Sequence, residues 1–197
     1  MASRAPIGNR RLAFITMNEP DRAAFLENLA RTRDDFRQAA AGLSEAQAQF
    51  KPTADCWSIE EIVEHVAIAE HGMYRFITEL HQRSDDPHEV ESAANLARAS
   101  DRKHLPLMAP ERAHPKGKFG SLAAAMNQFL ENRERTIAFV RDCHDDLRFR
   151  LIQHPLGVLN GKDCLTVLAY HPARHIQQMD ELKASPGFPR SIEPQKD

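Results

Sequence analysis

The sequence predicts an all-α protein built as a four-helix bundle, with a long crossover between helices two and three. Three observations carry this. Apolar residues recur at three- and four-residue spacing in four long stretches. Glycine occurs only eight times in 197 residues, and no strand-like alternation is sustained. A single long, proline-bearing connection interrupts the helical pattern midway.

The first helix is expected from about Asp21 to Ala41, where Phe25, Leu29, Thr32, Phe36 and Ala40 share one stripe. Gly42 suits its end, and Ser44 to Phe50 suits one further turn of helix before Lys51-Pro52. The second helix has the sharpest start. Ser58 and Glu61 form a capping box, and Trp57 and Ile62 flank it as a hydrophobic staple. Its apolar face reads Ile62, Val66, Ala69, Met73, Ile77 and Leu80, with His65 beside it.

Ser84 to Lys118 is polar and broken by Pro106, Pro110 and Pro115, although Glu89–Lys103 has helical character. A connection this long can return along the bundle, so helices two and three are expected to run parallel. The third helix is expected from Ser121 to Leu147, with Leu122, Met126, Phe129, Arg133, Ile137 and Val140 as its stripe. Arg133 is the anomaly there; its stem can pack while its head reaches water. The fourth begins after Asn160, an N-cap with Asp163 three residues on, and ends before Pro186 and Pro189. Leu165, Leu168, His171, His175, Met179 and Leu182 share its inner face. The domain expected is 20–185, flanked by tails at 1–19 and 186–197.

A net charge of −2, from 26 basic and 28 acidic residues, gives no electrostatic reason for a nucleic-acid or membrane partner. No apolar run approaches the roughly 18 residues of a membrane span. The patch Leu12–Thr16 is too short for a signal peptide. Cys56, Cys143 and Cys164 are sparse and odd in number, which reads as reduced thiols in a cytoplasmic protein.

Ten histidines are the oddity of composition. His171 and His175 are four apart, so a helix stacks both imidazoles on one side, within reach of one ion. Alone, that spacing is weak evidence, and the plainer reading is two polar residues of a partly exposed helix. Both lie on an apolar face, however, where imidazoles need partners. His65 offers a third ligand from another helix. Three histidines with an open fourth position is the pattern of a catalytic metal site. Other candidates have plainer readings. His154 is a loop residue that caps or lines the site. Glu61 caps, Glu64 is solvated, and neither is expected to act as a base. Cys164 is a small core residue. Tyr170 points away from the ligand face. His81, His88, His104 and His114 face water. Trp57 is a staple first and a pocket wall second.

The stretch Phe50-Lys51-Pro52-Thr53-Ala54-Asp55-Cys56-Trp57-Ser58-Ile59-Glu60-Glu61-Ile62-Val63-Glu64-His65 resembles the N-terminal hallmark of DinB/YfiT-like proteins. His154-Pro155-Leu156-Gly157, Asn160, His171, Arg174-His175 and Gln178 resemble the C-terminal one. The resemblance runs from about Asp21 to Leu182. It implies the same bundle with parallel second and third helices. It also implies a divalent ion, commonly zinc or nickel, on residues matching His65, His171 and His175, and a homodimer. The function implied is metal-dependent transfer or hydrolysis on a small molecule, with a low-molecular-weight thiol as possible partner. A non-catalytic, stress-linked metal-binding dimer and a plain helical interaction module are the alternatives. Pro172 departs from an ideal helix between the two C-terminal histidines, so a kink or π-bulge is expected between Leu168 and His171.

Overall fold

The computed structural model describes residues 17, 19–88, 109–154 and 157–190. Four long helices dominate: α1 (Glu19–Ala39), α3 (Ile59–Thr78), α4 (Leu122–Asp142) and α5 (Gly161–Lys183). A one-turn helix α2 (Glu45–Gln49) sits between the first two. The capping box at Ser58 forms as expected: its hydroxyl accepts from the Glu61 amide at 3.2 Å, and the Glu61 carboxylate accepts from the Ser58 amide at 2.7 Å. Ser44 with Gln47, and Asn160 with Asp163, make two more such boxes.

The core has two ends, and membership of each sets helix direction. One end collects Leu29 of α1, Met73 and Ile77 of α3, Ile137 and Val140 of α4, and Leu165 and Leu168 of α5. The other collects Phe36 of α1, Ile62 and Val66 of α3, Ala125 and Phe129 of α4, and Met179 and Leu182 of α5. N-terminal halves of α3 and α4 therefore share one end, and their C-terminal halves share the other. The pair runs parallel, as the long crossover predicts, with α1 and α5 opposed to both.

Helix C-termini leave carbonyls without intrahelical partners, and three are closed by long cations from elsewhere in the chain. Lys183 reaches Ala39 O at 2.5 Å, Arg150 reaches Ile77 O at 2.7 Å, and Arg22 reaches Val140 O at 2.5 Å. Each also places positive charge at the negative end of a helix dipole.

Several expectations need correction. A three-stranded antiparallel sheet, ordered β1 (Gln82–Arg83), β2 (Arg150–His154), β3 (Gly157–Asn160), occupies what reads as loop. Ile152 and Leu159 pair across β2 and β3 and turn into the core, 2% and 1% exposed. Gly157, at φ +106°, opens β3 in a conformation that other residues strain to adopt. The third long helix stops at Asp142 rather than Leu147, because the chain turns through Cys143 toward a 3₁₀ turn at Leu147–Phe149. Leu80 lies past the end of α3 and is half exposed.

Arg133 is fully buried, not snorkelling to water. Its guanidinium binds Leu29 O and Thr32 Oγ1 of α1, Glu70 of α3 and Leu168 O of α5. Helix α5 is α-helical throughout with Pro172 inside it, so the expected π-bulge is absent. The possible helix at Glu89–Lys103, His104, Pro106 and the N-terminal patch lie outside the described residues.

Candidate metal centre

His65 projects from α3; His171 and His175 project from α5. The capping box sets the register of α3 and hence the face on which His65 emerges. The i, i+4 spacing on α5 stacks the other two rings, with centroids 4.5 Å apart. The His65 ring lies 5.2 Å from that of His171 and 4.8 Å from that of His175. One ligand nitrogen from each can be chosen so that all lie within 4.8 Å of one another. Sequence reasoning thus names all three members of the cluster found among the described residues.

Neighbouring groups orient the rings. His65 Nδ1 lies 2.7 Å from Ala113 O, and His175 Nδ1 lies 3.0 Å from Gln178 Oε1. A carbonyl oxygen only accepts, so each Nδ1 carries the proton and each Nε2 presents its lone pair. Carbonyl partners on the remote nitrogen are the usual support for a ligating histidine. His175 Nε2 lies 3.1 Å from His171 Nε2. Tetrahedral ligands at bond lengths of about 2.0–2.1 Å stand roughly 3.3 Å apart, so this pair fits one ion.

Burial favours the neutral form of the His65 and His171 imidazoles. It pushes the His65 pKa down, against a partial lift from the Ala113 carbonyl. His171 is pushed well down, first by burial and then by its neighbours His175, His65, Arg133 and Arg174. Neutral imidazole is the form that ligates.

The segment returning from the crossover is clamped over His65. Glu64, 3% exposed, accepts the backbone N–H groups of Lys116 and Lys118 on Oε1 at 2.8 and 3.0 Å. The expectation that Glu64 is solvated fails: its neighbour His65 turns inward to the histidine cluster while Glu64 pins this loop. Trp57 packs 4.9 Å from the His65 ring and 5.8 Å from that of His114. His114 is half-buried, at 3.0 Å from Ala109 O, rather than in water. His81 and His88 are also half-buried. Cys164 is a core residue as expected, fully buried, and burial pushes its thiol pKa up.

The three histidines line one side of a cavity of about 190 Å³. Ile68, Gly72, Met73, Phe76, Val167 and Leu168 form apolar walls. Arg112, Arg174 and His154 add the polar part, and no carboxylate lines it among the described residues. Arg112 sits over the Phe76 ring at 5.2 Å from its centroid. His154 ends strand β2 and faces this cavity, so it is not merely a loop cap. Burial, with the charge of Arg112, pushes its pKa down to about 4. Tyr170 packs against the core and does not line the cavity. No described helix is long and apolar enough to cross a membrane.

Comparisons with known proteins agree with this architecture. The family model of the DinB superfamily matches residues 28–179. The uncharacterised protein YuaE of Bacillus subtilis (strain 168) is 26% identical over 143 residues, covering 72% of this chain and 86% of its own. The solved structure of YfiT from Bacillus subtilis aligns with a TM-score of 0.56 at 17% identity, covering 86% of this chain and 89% of that one. YfiT is described as a probable metal-dependent hydrolase with an unusual four-helix bundle topology. At that identity the likeness establishes the fold.

Proposed function

We propose that this chain, which belongs to the DinB superfamily, is a metal-dependent enzyme that activates water or a small thiol against a small-molecule substrate. The observation that carries the reading is the convergence of three histidines, within 4.8 Å of one another, on the wall of an apolar cavity. His65, His171 and His175 would hold one divalent ion. An all-imidazole set suits zinc and nickel. When bound, such an ion supplies Lewis acidity and eases deprotonation of a nucleophile at its open position. The description of YfiT as a probable metal-dependent hydrolase supports the same reading.

The chain's own residues do the rest. Met73, Phe76 and Val167 exclude water and shape the apolar part of the substrate. Arg112 and Arg174 favour negative charge developing on a substrate oxygen. Among the described lining residues His154 is the histidine that is not a proposed ligand, and its low pKa keeps it neutral near pH 7. A base that weak is a poor acceptor for the nucleophile's proton near pH 7, so its role is to hydrogen-bond the substrate as a neutral imidazole.

The test begins with elemental analysis of protein purified without a histidine tag. About one divalent ion per chain is expected, followed by turnover in a screen of esters, amides and electrophiles, with and without low-molecular-weight thiols. A chain that takes up no zinc or nickel would overturn the reading. Metal binding without turnover across the screen would leave a binding protein and remove the enzyme.

A further inference from the structure

Proline at 172 has no N–H, so the carbonyl of Leu168 loses its helical donor on a buried turn of α5. An orphaned buried acceptor is costly. Arg133 Nη2 supplies the missing donor at 3.0 Å from Leu168 O. The same nitrogen binds Glu70 Oε2 at 2.8 Å, and Nη1 binds Thr32 Oγ1 at 3.0 Å and Leu29 O at 3.2 Å. Thr136 Oγ1 donates to the other Glu70 oxygen at 2.9 Å. One fully buried guanidinium on α4 therefore ties the other three long helices together at the turn that carries His171.

From this juxtaposition we infer that Arg133 is a positioning residue for the metal centre: it replaces the donor that Pro172 deletes and so holds His171 in register with His65. The inference rests on the metal-binding reading above. A planar fork suits the task, because it presents parallel donors in fixed directions to a carboxylate and to carbonyls at once. A lysine offers a point charge on a shorter reach. The ion pair with Glu70 neutralises the charge, while the bond to Leu168 O carries the positional information.

The test uses the full chain and zinc itself. The readouts are zinc affinity, by competition with a chromophoric chelator, and the visible spectrum of the cobalt-substituted protein. Arg133→Met combined with Glu70→Leu removes the ion pair without leaving a buried charge. Arg133→Lys keeps the charge but loses the fork, and it decides the matter if the double variant does not fold. Both are expected to bind zinc about tenfold or more weakly, with an altered cobalt spectrum. Adding Pro172→Ala restores an N–H to Leu168 O. Affinity and spectrum are then expected to return to within about threefold of the Pro172→Ala protein. A merely structural role would not be repaired by that backbone donor. Zinc binding within about twofold of wild type in the Arg133 variants would overturn the inference, and so would weakening that Pro172→Ala does not repair. His171→Ala is the control: if it binds zinc as tightly as wild type, the metal reading itself fails, whatever Arg133 does.

Discussion

Replacing Glu64 by alanine is expected to loosen the loop over the candidate metal centre and, through it, His65. The carboxylate is 3% exposed, and its Oε1 takes two backbone N–H groups, from Lys116 at 2.8 Å and Lys118 at 3.0 Å. Hydrogen bonds to a charged acceptor contribute about 1.5–3 kcal/mol each, which sets an upper figure near 6 kcal/mol for the two. Two effects reduce it. Lys116 and Lys118 are exposed, so water can reach their amides once the carboxylate is gone. Removing a buried charge also returns its desolvation cost. The expected loss is about 2 kcal/mol. Glu64→Gln keeps one oxygen able to accept both amides and loses only the charge, so under about 1 kcal/mol is expected. The loop also carries Ala113 O, which orients the His65 ring at 2.7 Å. Zinc affinity should therefore fall about tenfold in the alanine variant and much less in the glutamine one. Urea unfolding of the metal-free proteins and chelator competition give the two numbers. An alanine variant within about 0.5 kcal/mol of wild type, binding zinc equally well, would refute the clamp.

Alanine at His65, His171 or His175 should each weaken zinc or nickel binding by at least about tenfold, read by chelator competition; unchanged metal content in all three would remove the site. His154 is held at about 4 against an ordinary 6.5, so the unfolded chain takes up its proton first. Its contribution is complete above about pH 6.5 and is lost as pH falls toward 4, and His154→Gln should flatten that part of the urea-midpoint profile of the metal-free protein. Pro172→Ala alone should stabilise by about 1 kcal/mol: helix propensity favours it by up to about 3, the loss of two buried methylenes costs about 1.6, and Leu168 O already has Arg133 as donor. Destabilisation in urea would refute that balance. The homodimer implied by the family resemblance is checked by light scattering at micromolar concentration, where a monomer mass would count against it.

Local chemistry was legible in the residues themselves. Ser58 with Glu61, and Asn160 with Asp163, announce helix starts because a cap is made by residues three apart. The stripes Leu29–Phe36 and Leu165–Leu182 announce inner faces because helical period is a local property. His171 and His175 share a helix, so their pairing needs no tertiary knowledge, and the parallel helix pair follows from the length of the connection. What depends on partners distant in sequence was decided only by the tertiary structure. Strand β2 buries only Ile152, and β3 buries Leu159 and the adjacent capping Asn160, too little alternation to read against a helical background. Glu64 looks like any solvated helix carboxylate until Lys116 and Lys118 return to it. Arg133 looks amphipathic until Glu70, Thr32 and two carbonyls close around it. Pro172 looks like a break until that same arginine supplies its missing donor: a buried charge or an orphaned carbonyl has its energy set by whatever the fold brings within 3 Å or so of it.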